Sequence, residues 1–329
     1  MTNRFRPTRR RAIQLGAAAV LAAPALARAQ AWPSGAITFL NPFPAGGGTD
    51  TFARPLAAQL AEQLGHQVLI DNKGGAGGTV GASQAAKARP DGSLFFVGAV
   101  HHTIAPSIYK NLDYDLEKAF EPITMLALVP QVISINPTKV PVKTAAELLD
   151  YLRKNPGKVN YASPGAGTAH HLAAELYKLE TKTNIVHVPY RGAGPAMQDL
   201  LAGNADMMFD GMGTSAQQFK AGRLLGLGVA TPKRLAAFPD IPTAAEIGIP
   251  NWQVSTWYGL WAIKGTPPAI VERMYNETVK ALAVPKLKEI WAQQTAEPGG
   301  ESRADFAKRI RSEIEKWQKV VTAAGVKLD

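Results

Sequence analysis

The stretch "NPFPAGGGTD", residues 41–50, decides how this chain is read. Before it stands the apolar run "AITFL" (36–40), and after it "TFARPLAAQLAEQLG" (51–65). In the latter Phe52, Leu56, Leu60 and Leu64 recur every four residues, the spacing that lines one face of a helix. The order is therefore strand, glycine loop, helix. Three consecutive glycines strip the loop of side chains just where a helix opens with unpaired N–H groups and about half a positive charge from its dipole. Such a loop suits a carboxylate or a phosphate. Thr49 or Asp50 is expected to serve as N-cap of this helix. Pro55, which lacks an N–H, is expected to distort its first turns.

The same pattern recurs. "NKGGAGGTVGAS" (72–83) and "SPGAGTAHH" (163–171) also place glycine between an apolar run and a helical pattern. Strands are expected at 36–41, 67–71, 93–99, 123–135, 159–163, 185–189, 205–209 and 224–230, with helices between them. That alternation is the signature of an α/β fold with a largely parallel sheet. In such sheets the loops after the strands share one rim, where ligands bind. Thr79 and Thr168 are expected to cap their helices with hydroxyls turned to the same cleft, and Ser163 and Asp210, which end strands, to contact a ligand directly.

"TAAE" at 144–147 is a capping box that opens a helix ended by Pro156-Gly157, and "TAAE" at 243–246 predicts a second, shorter one. Thr266-Pro267 starts a helical tail of about three segments, without further strands. Two long β-like runs, 123–135 and 252–264, bracket the middle third and read as crossings between two lobes: residues 32–134 with 254–329, and 135–253.

Several functions are excluded or disfavoured. The dinucleotide fingerprint fails because Gly75 and Gly77 put Val80 at its third glycine, and Gly165 and Gly167 put His170 there. No glycine loop carries the lysine of a phosphate loop, and G-x-S-x-G is absent. The absence of cysteine removes disulfides and thiolate chemistry. Adjacent histidines, His101-His102 and His170-His171, point about 100° apart on a helix and make poor joint metal ligands. No metal or cofactor is expected.

The N-terminus is basic and acid-free, then apolar from Ala12 to Ala27, then small-residue "ARAQA", a pattern that predicts an export signal over residues 1–31 by the general secretory or twin-arginine route. Its apolar stretch is broken by Pro24 and short of the roughly 20 residues a membrane span needs. The formal charge of +10 includes six arginines of that segment; the remaining thirty basic and 26 acidic groups leave +4, with no basic stripe suited to nucleic acid. The mature product is expected to be exported and unanchored.

Taken together, "ITFLNPFPAGGGTDTFARPLA", "VLIDNKGGAGGTVGASQAAKARPDGSLFFVG", "YASPGAGTAHHLAAELY", "VPYRGAGPAMQDLLAGNADMMFD" and "FPDIPTAAEIGIPNWQVSTWYGLWAIKGTP" resemble the Bordetella uptake gene (Bug) family. These are the extracytoplasmic solute receptors of tripartite tricarboxylate transporters. The resemblance runs from about residue 36 to the C-terminus. It implies a type II periplasmic binding protein fold, two α/β lobes joined by two crossing strands that close like a Venus flytrap. It also implies a non-catalytic receptor for a small organic acid and a membrane permease partner with large and small integral subunits.

In relatives the carboxylate rests on backbone N–H groups and ordered water, without an arginine clamp. The matching positions here are Phe43, Ala45, Gly46, Gly47, Thr49, Ala76, Gly77, Gly78 and Thr79 on one lobe, and Ser163, Gly165, Thr168 and Asp210 on the other. His102, beside His101, falls where relatives line the cleft and is expected to bear on ligand choice. Asn41 and Pro55 depart from the family pattern. An exported hydrolase using Asp210 or a histidine, and a sensor feeding a signalling partner, are the alternatives.

Overall fold

The computed structural model describes residues 32–325, so the export signal expected over residues 1–31 lies outside the described residues. β1 (Ile37–Asn41) leads into α1 (Gly48–Leu64), and β2 (Val68–Asn72) passes through a tight turn at Ala76–Gly78 into α2 (Thr79–Ala86). β3 (Leu94–Ala99) is followed by α3 (His101–Ile108) and the short α4 (Leu116–Ala119), which opens the long β4 (Phe120–Ile135). Then come α5 (Ala145–Lys154), β5 (Asn160–Ser163), α6 (Ala169–Thr181), β6 (Val186–Pro189), α7 (Ala193–Ala202), β7 (Met207–Gly211), α8 (Met212–Lys220) and β8 (Leu225–Val229). β9 (Ser255–Ile263) precedes α9 (Pro268–Ala283), α10 (Pro285–Gln293), β10 (Glu297–Pro298) and α11 (Arg303–Ala324).

Local chemistry accounts for these elements. α1 buries Phe52, Leu56, Leu60 and Leu64 on one face and runs unbroken through Pro55. It ends where Gly65, at φ 67°, takes the left-handed cap conformation that glycine adopts freely. At α5 the Thr144 hydroxyl accepts from the Glu147 N–H, and Glu147 reaches back to the N–H of Lys143, so the box closes one residue further out than usual. The second "TAAE" makes the reciprocal bonds between Thr243 and Glu246 themselves but builds only turns. The Ala244 N–H donates to the carbonyl of Val229, the last residue of β8, and Gly248 (φ 82°) and Pro250 end the turn before a helix can propagate.

The strands follow the order β2-β1-β3-β9-β4-β7-β5-β6, with β8 and β10 also on β4. Within each half the β-loop-α units pair in parallel, β1 with β2 and β3, β5 with β6 and β7. β9 and β4 run antiparallel to their neighbours. β4 is shared: Phe120–Pro130 pair with β9, whereas Gln131–Ile135 pair with β7. One half-sheet is thus handed to the next where the partner changes. The tail is three helices, as expected, but it also holds the two-residue β10, paired to Ala127 and Leu128.

Aromatic side chains fill both halves. Trp261 packs on Phe96 and Phe306 in the first, and Phe209 on Tyr161, Tyr177 and Trp252 in the second. The buried indole N–H of Trp252 donates to the Ala173 carbonyl and that of Trp291 to Leu126, which removes the desolvation cost of each donor. From Gly35 onward the chain is one compact unit.

Candidate functional site

The loop after β1 is held by a carboxylate. Gly47, not Thr49 or Asp50, is the N-cap of α1, and no side chain caps it. The helix starts two residues early, which puts Asp50 in its first turn with its carboxylate turned back on the loop. There Asp50 accepts from the Gly46 N–H (3.0 Å), Arg54 Nε (2.7 Å), Asn72 Nδ2 (3.3 Å) and Asn41 Nδ2 (3.4 Å). The unusual Asn41 also accepts from the Phe43 N–H, and Asn72 donates to the Phe43 carbonyl. Burial alone would raise the Asp50 carboxyl, but bonds from Arg54, Gly46 and Asn72 outweigh it and hold it below the usual range. The Gly46 N–H is therefore committed to Asp50, while the first N–H groups of α1 keep no side-chain cap.

A second uncapped helix faces it. α7 begins after Gly192, again with no side-chain cap. A β-carbon built on Gly47 would lie 3.7 Å from the backbone nitrogens of both Ala193 and Gly194, and one on Gly194 only 2.8 Å from the Ala45 carbonyl oxygen. Two helix N-termini, one from each half-sheet, thus converge, and each favours negative charge. This is a fourth glycine loop, beyond the three expected from sequence. Gly192-x-Gly194 before Pro195, between a strand and a helix, was the available signal.

The two remaining glycine loops touch each other. A β-carbon on Gly165 would lie 3.3 Å from Gly77 Cα. The Tyr109 hydroxyl is shared between the carbonyls of Ala76 (3.0 Å) and Ala166 (3.1 Å), strapping the two loops together. Ala76 itself sits at φ 44°, a region L-residues seldom use, with its carbonyl also taken by the Thr79 hydroxyl. Thr79 is the first residue of α2, whose N-cap is Gly78, so it does not cap that helix as expected. Thr168 does cap α6, accepting from the His171 N–H and donating to Gly165.

At the centre is a cavity of about 10 Å³, room for roughly one water. Of the residues predicted from sequence, Phe43, Gly47 and Thr49 line it; Gly48, His101, Pro164, His170, Ala193 and Tyr258 line it with them. Ala45 and Gly46 instead face an outer concavity of about 500 Å³ whose opposite wall includes Gly194 and Thr214. His102 lies behind the loops: its Nδ1 meets the backbone of Ala99, its Nε2 is 3.4 Å from the Gly78 carbonyl, and Phe96 packs edge-on. The neighbouring His101 faces the cavity and accepts from the Ala169 N–H (3.0 Å), a bond from the opposite half. Ser163 is buried against His187 (2.6 Å) and Gly165, and Asp210 stands behind His170. Gly78 supports Phe43, since a β-carbon there would lie 2.8 Å from its ring.

The site's electrostatics are set by burial. Desolvation pushes His101 well below its ordinary pKa, with His170 and His102 adding to it. It brings His102 down to about 4, and it raises the Tyr258 phenol, helped by Asp210. Among the described residues neither lysine nor arginine lines the cavity. Among the described residues no group of three or more His, Asp or Glu could hold a metal ion.

The hydrolase alternative has one local feature, the Ser163–His187 pair. Burial, then His171 and Lys178, bring His187 to about 3, far from a base poised at neutral pH.

A cleft lined from two α/β halves by helix N-termini and closed by shared strands defines a solute-binding protein of the periplasmic type. The chain belongs to the TctC family, described as the tripartite tricarboxylate transporter family receptor, whose profile matches residues 52–326. It is 37% identical to a protein from the tcbD-tcbE intergenic region of Pseudomonas sp. strain P51, over 89% of this chain and 88% of that one. It is 33% identical to BugT of Bordetella pertussis, over 95% of each.

Among solved structures, the periplasmic binding protein BugD superposes with a TM-score of 0.87 at 35% identity, covering 90% of this chain and all (100%) of that one. An R. palustris protein with adipate gives 0.87 at 33%, covering 90% and 100%. MatC of Rhodopseudomonas palustris with bound malate gives 0.84 at 31%, covering 88% and 100%. The expected fold, two α/β lobes joined by crossing strands, is the fold of these proteins. Among the described residues no helix is long and apolar enough to cross a membrane.

Proposed function

We propose that the chain is an exported, non-catalytic receptor that closes on a small carboxylated solute and delivers it to a permease of large and small integral subunits. The lobes are residues 32–134 with 254–329, and 135–253. The observation that carries this reading is the convergence of two uncapped helix N-termini, those of α1 and α7, on a cavity walled from both sides. Each contributes bare N–H groups and a fraction of positive charge, which suits an acid group without any arginine. A cavity of about 10 Å³ admits no organic acid, so entry requires the lobes to part. An acid that bonds both lobes then favours the closed state by its differential affinity. That relatives were solved with adipate and with malate supports a carboxylate as the solute.

The test is a thermal-shift panel of mono-, di- and tricarboxylates on the mature protein, with calorimetry on those that bind and recovery of the bound acid. A raised melting temperature with the acid returned intact is expected. A chemically altered acid points to the hydrolase, and no stabilisation by any acid refutes the receptor.

A further inference from the structure

We propose that His170, backed by Asp210, is a proton-loading cation of the cavity, so that capture of an acid draws a proton from solvent onto its imidazole. This rests on the receptor reading above and names what the site adds to its backbone amides.

The geometry comes first. His170 lines the cavity, with Nε2 3.5 Å from Asp210 Oδ1 and both side chains buried. Asp210 Oδ2 accepts from the hydroxyls of Ser215 (2.6 Å) and Thr214. Among the described residues its Oδ1 has no hydrogen-bond partner, and neither has His170 Nδ1. Two unpaired polar atoms at the heart of one site is an arrangement a fold avoids unless something completes it. A proton on each ring nitrogen completes it: Nε2–H supplies the donor that Oδ1 lacks, and Nδ1–H becomes a second charged donor.

The charge inventory points the same way. From β7 His170 faces Asp210, from α3 His101, and from β9 Tyr258. On α1, Asp50 is turned back to Arg54 and Gly46; on α6 itself, His171 is turned to Gly167 and Glu175. His101 must keep Nδ1 unprotonated to accept the Ala169 N–H, and burial keeps it neutral. Its ring is 5.4 Å from that of His170, which disfavours a second charge there. Burial likewise keeps the Tyr258 hydroxyl protonated. His170 is thus the cavity-lining group able to answer negative charge with a whole positive one. A carboxylate entering beside the Asp210 carboxylate places two negative charges in a desolvated site, and a proton on His170 relieves both.

The test uses the mature protein with adipate and malate, titrated calorimetrically in buffers of differing ionisation enthalpy between about pH 6 and pH 8. The expected result is uptake of a fraction of a proton, rising towards about one per acid bound, and affinity falling by up to about tenfold per pH unit as the solution is made alkaline. His170→Asn keeps a polar side chain but cannot gain charge. It should bind with no net uptake and with pH-independent affinity. Asp210→Asn removes the buried negative charge, and uptake should shrink with it. Melting curves of both variants show that each is folded. Binding of adipate or malate to the wild type without proton uptake, or uptake that survives in His170→Asn, overturns the proposal while leaving the receptor standing. If neither of these nor any other acid binds, the receptor and the proposal fall together.

Discussion

Gly194→Ala adds one methyl group to the contact between the lobes, and its carbon would sit 2.8 Å from the Ala45 carbonyl oxygen and 3.4 Å from the Gly46 carbonyl carbon. Carbon and oxygen in ordinary contact stay about 3.3 Å or more apart, so the two sides must yield by about half an ångström. Both obstacles are backbone and neither can swing aside. Such overpacking costs about 1–3 kcal/mol. The cost falls only on the conformation in which the loops at 45–47 and 192–194 touch, because parting the lobes relieves it. At 1.4 kcal/mol per factor of ten, affinity for the captured acid should fall roughly 5- to 150-fold.

The fold itself should not suffer from this change. Gly194 lies in the first turn of α7 with φ outside the left-handed range, and alanine is favoured over glycine in a helix by up to about 1 kcal/mol. Calorimetric titration with a binding acid and a melting curve without it separate the two effects. Unchanged affinity, or a melting temperature that drops along with it, would refute closure at this contact.

Tyr109→Phe removes the hydroxyl shared by Ala76 and Ala166. With a net hydrogen bond worth about 0.5–1.5 kcal/mol, acid affinity should fall about 2- to 12-fold in calorimetry, with little change in melting temperature. Asp50→Asn keeps the shape of the loop anchor but loses its charge, and urea denaturation at neutral pH should show a loss of about 1–3 kcal/mol. Because the folded Asp50 carboxyl is held below its ordinary value, its contribution is present above that value and lost as pH falls through the lowered one. The gap between variant and wild type should therefore narrow only in strong acid. His101, His102 and His187 are held neutral by burial and their pKa values lie below the ordinary histidine value, so the unfolded chain takes up protons first as the solution is acidified. Stability is full above about pH 6.5 and falls below it, by up to about 1.4 kcal/mol per pH unit for each proton. A urea midpoint unchanged between about pH 7 and pH 5 would show that these rings are not buried neutral.

The alternation of strand, loop and helix was legible because burial on one face imposes a period the residues display, as in α1, and because Thr144 and Glu147 sit at the spacing of a helix cap. What stayed hidden was phase and depth. Adjacent histidines at 101 and 102 diverge by about 100° on α3, and only the packing of that helix decides that the first meets the cavity and the second Phe96. Asp50 was readable as a cap, but a carboxylate in a helix's first turn can equally reach back, and the glycines at 47 and 48 let the helix begin early enough that it does. The second "TAAE" carries the same local signal as the first. It yields to a tertiary fact, the bridge between Thr243 and Val229, that no local pattern encodes.

β9 lies between β3 and β4, although about 120 residues of chain separate it from β4 and about 155 from β3. The ribosome must therefore release most of the polypeptide before the first half-sheet has the strand that joins β3 to β4, and no early truncation can yield that half by itself. β5 to β8, by contrast, are contiguous in the gene. Recombination between relatives can import His170, Asp210 and the start of α7 in a single exchange, whereas their counterparts on α1, α3 and β9 must be inherited from distant stretches of DNA.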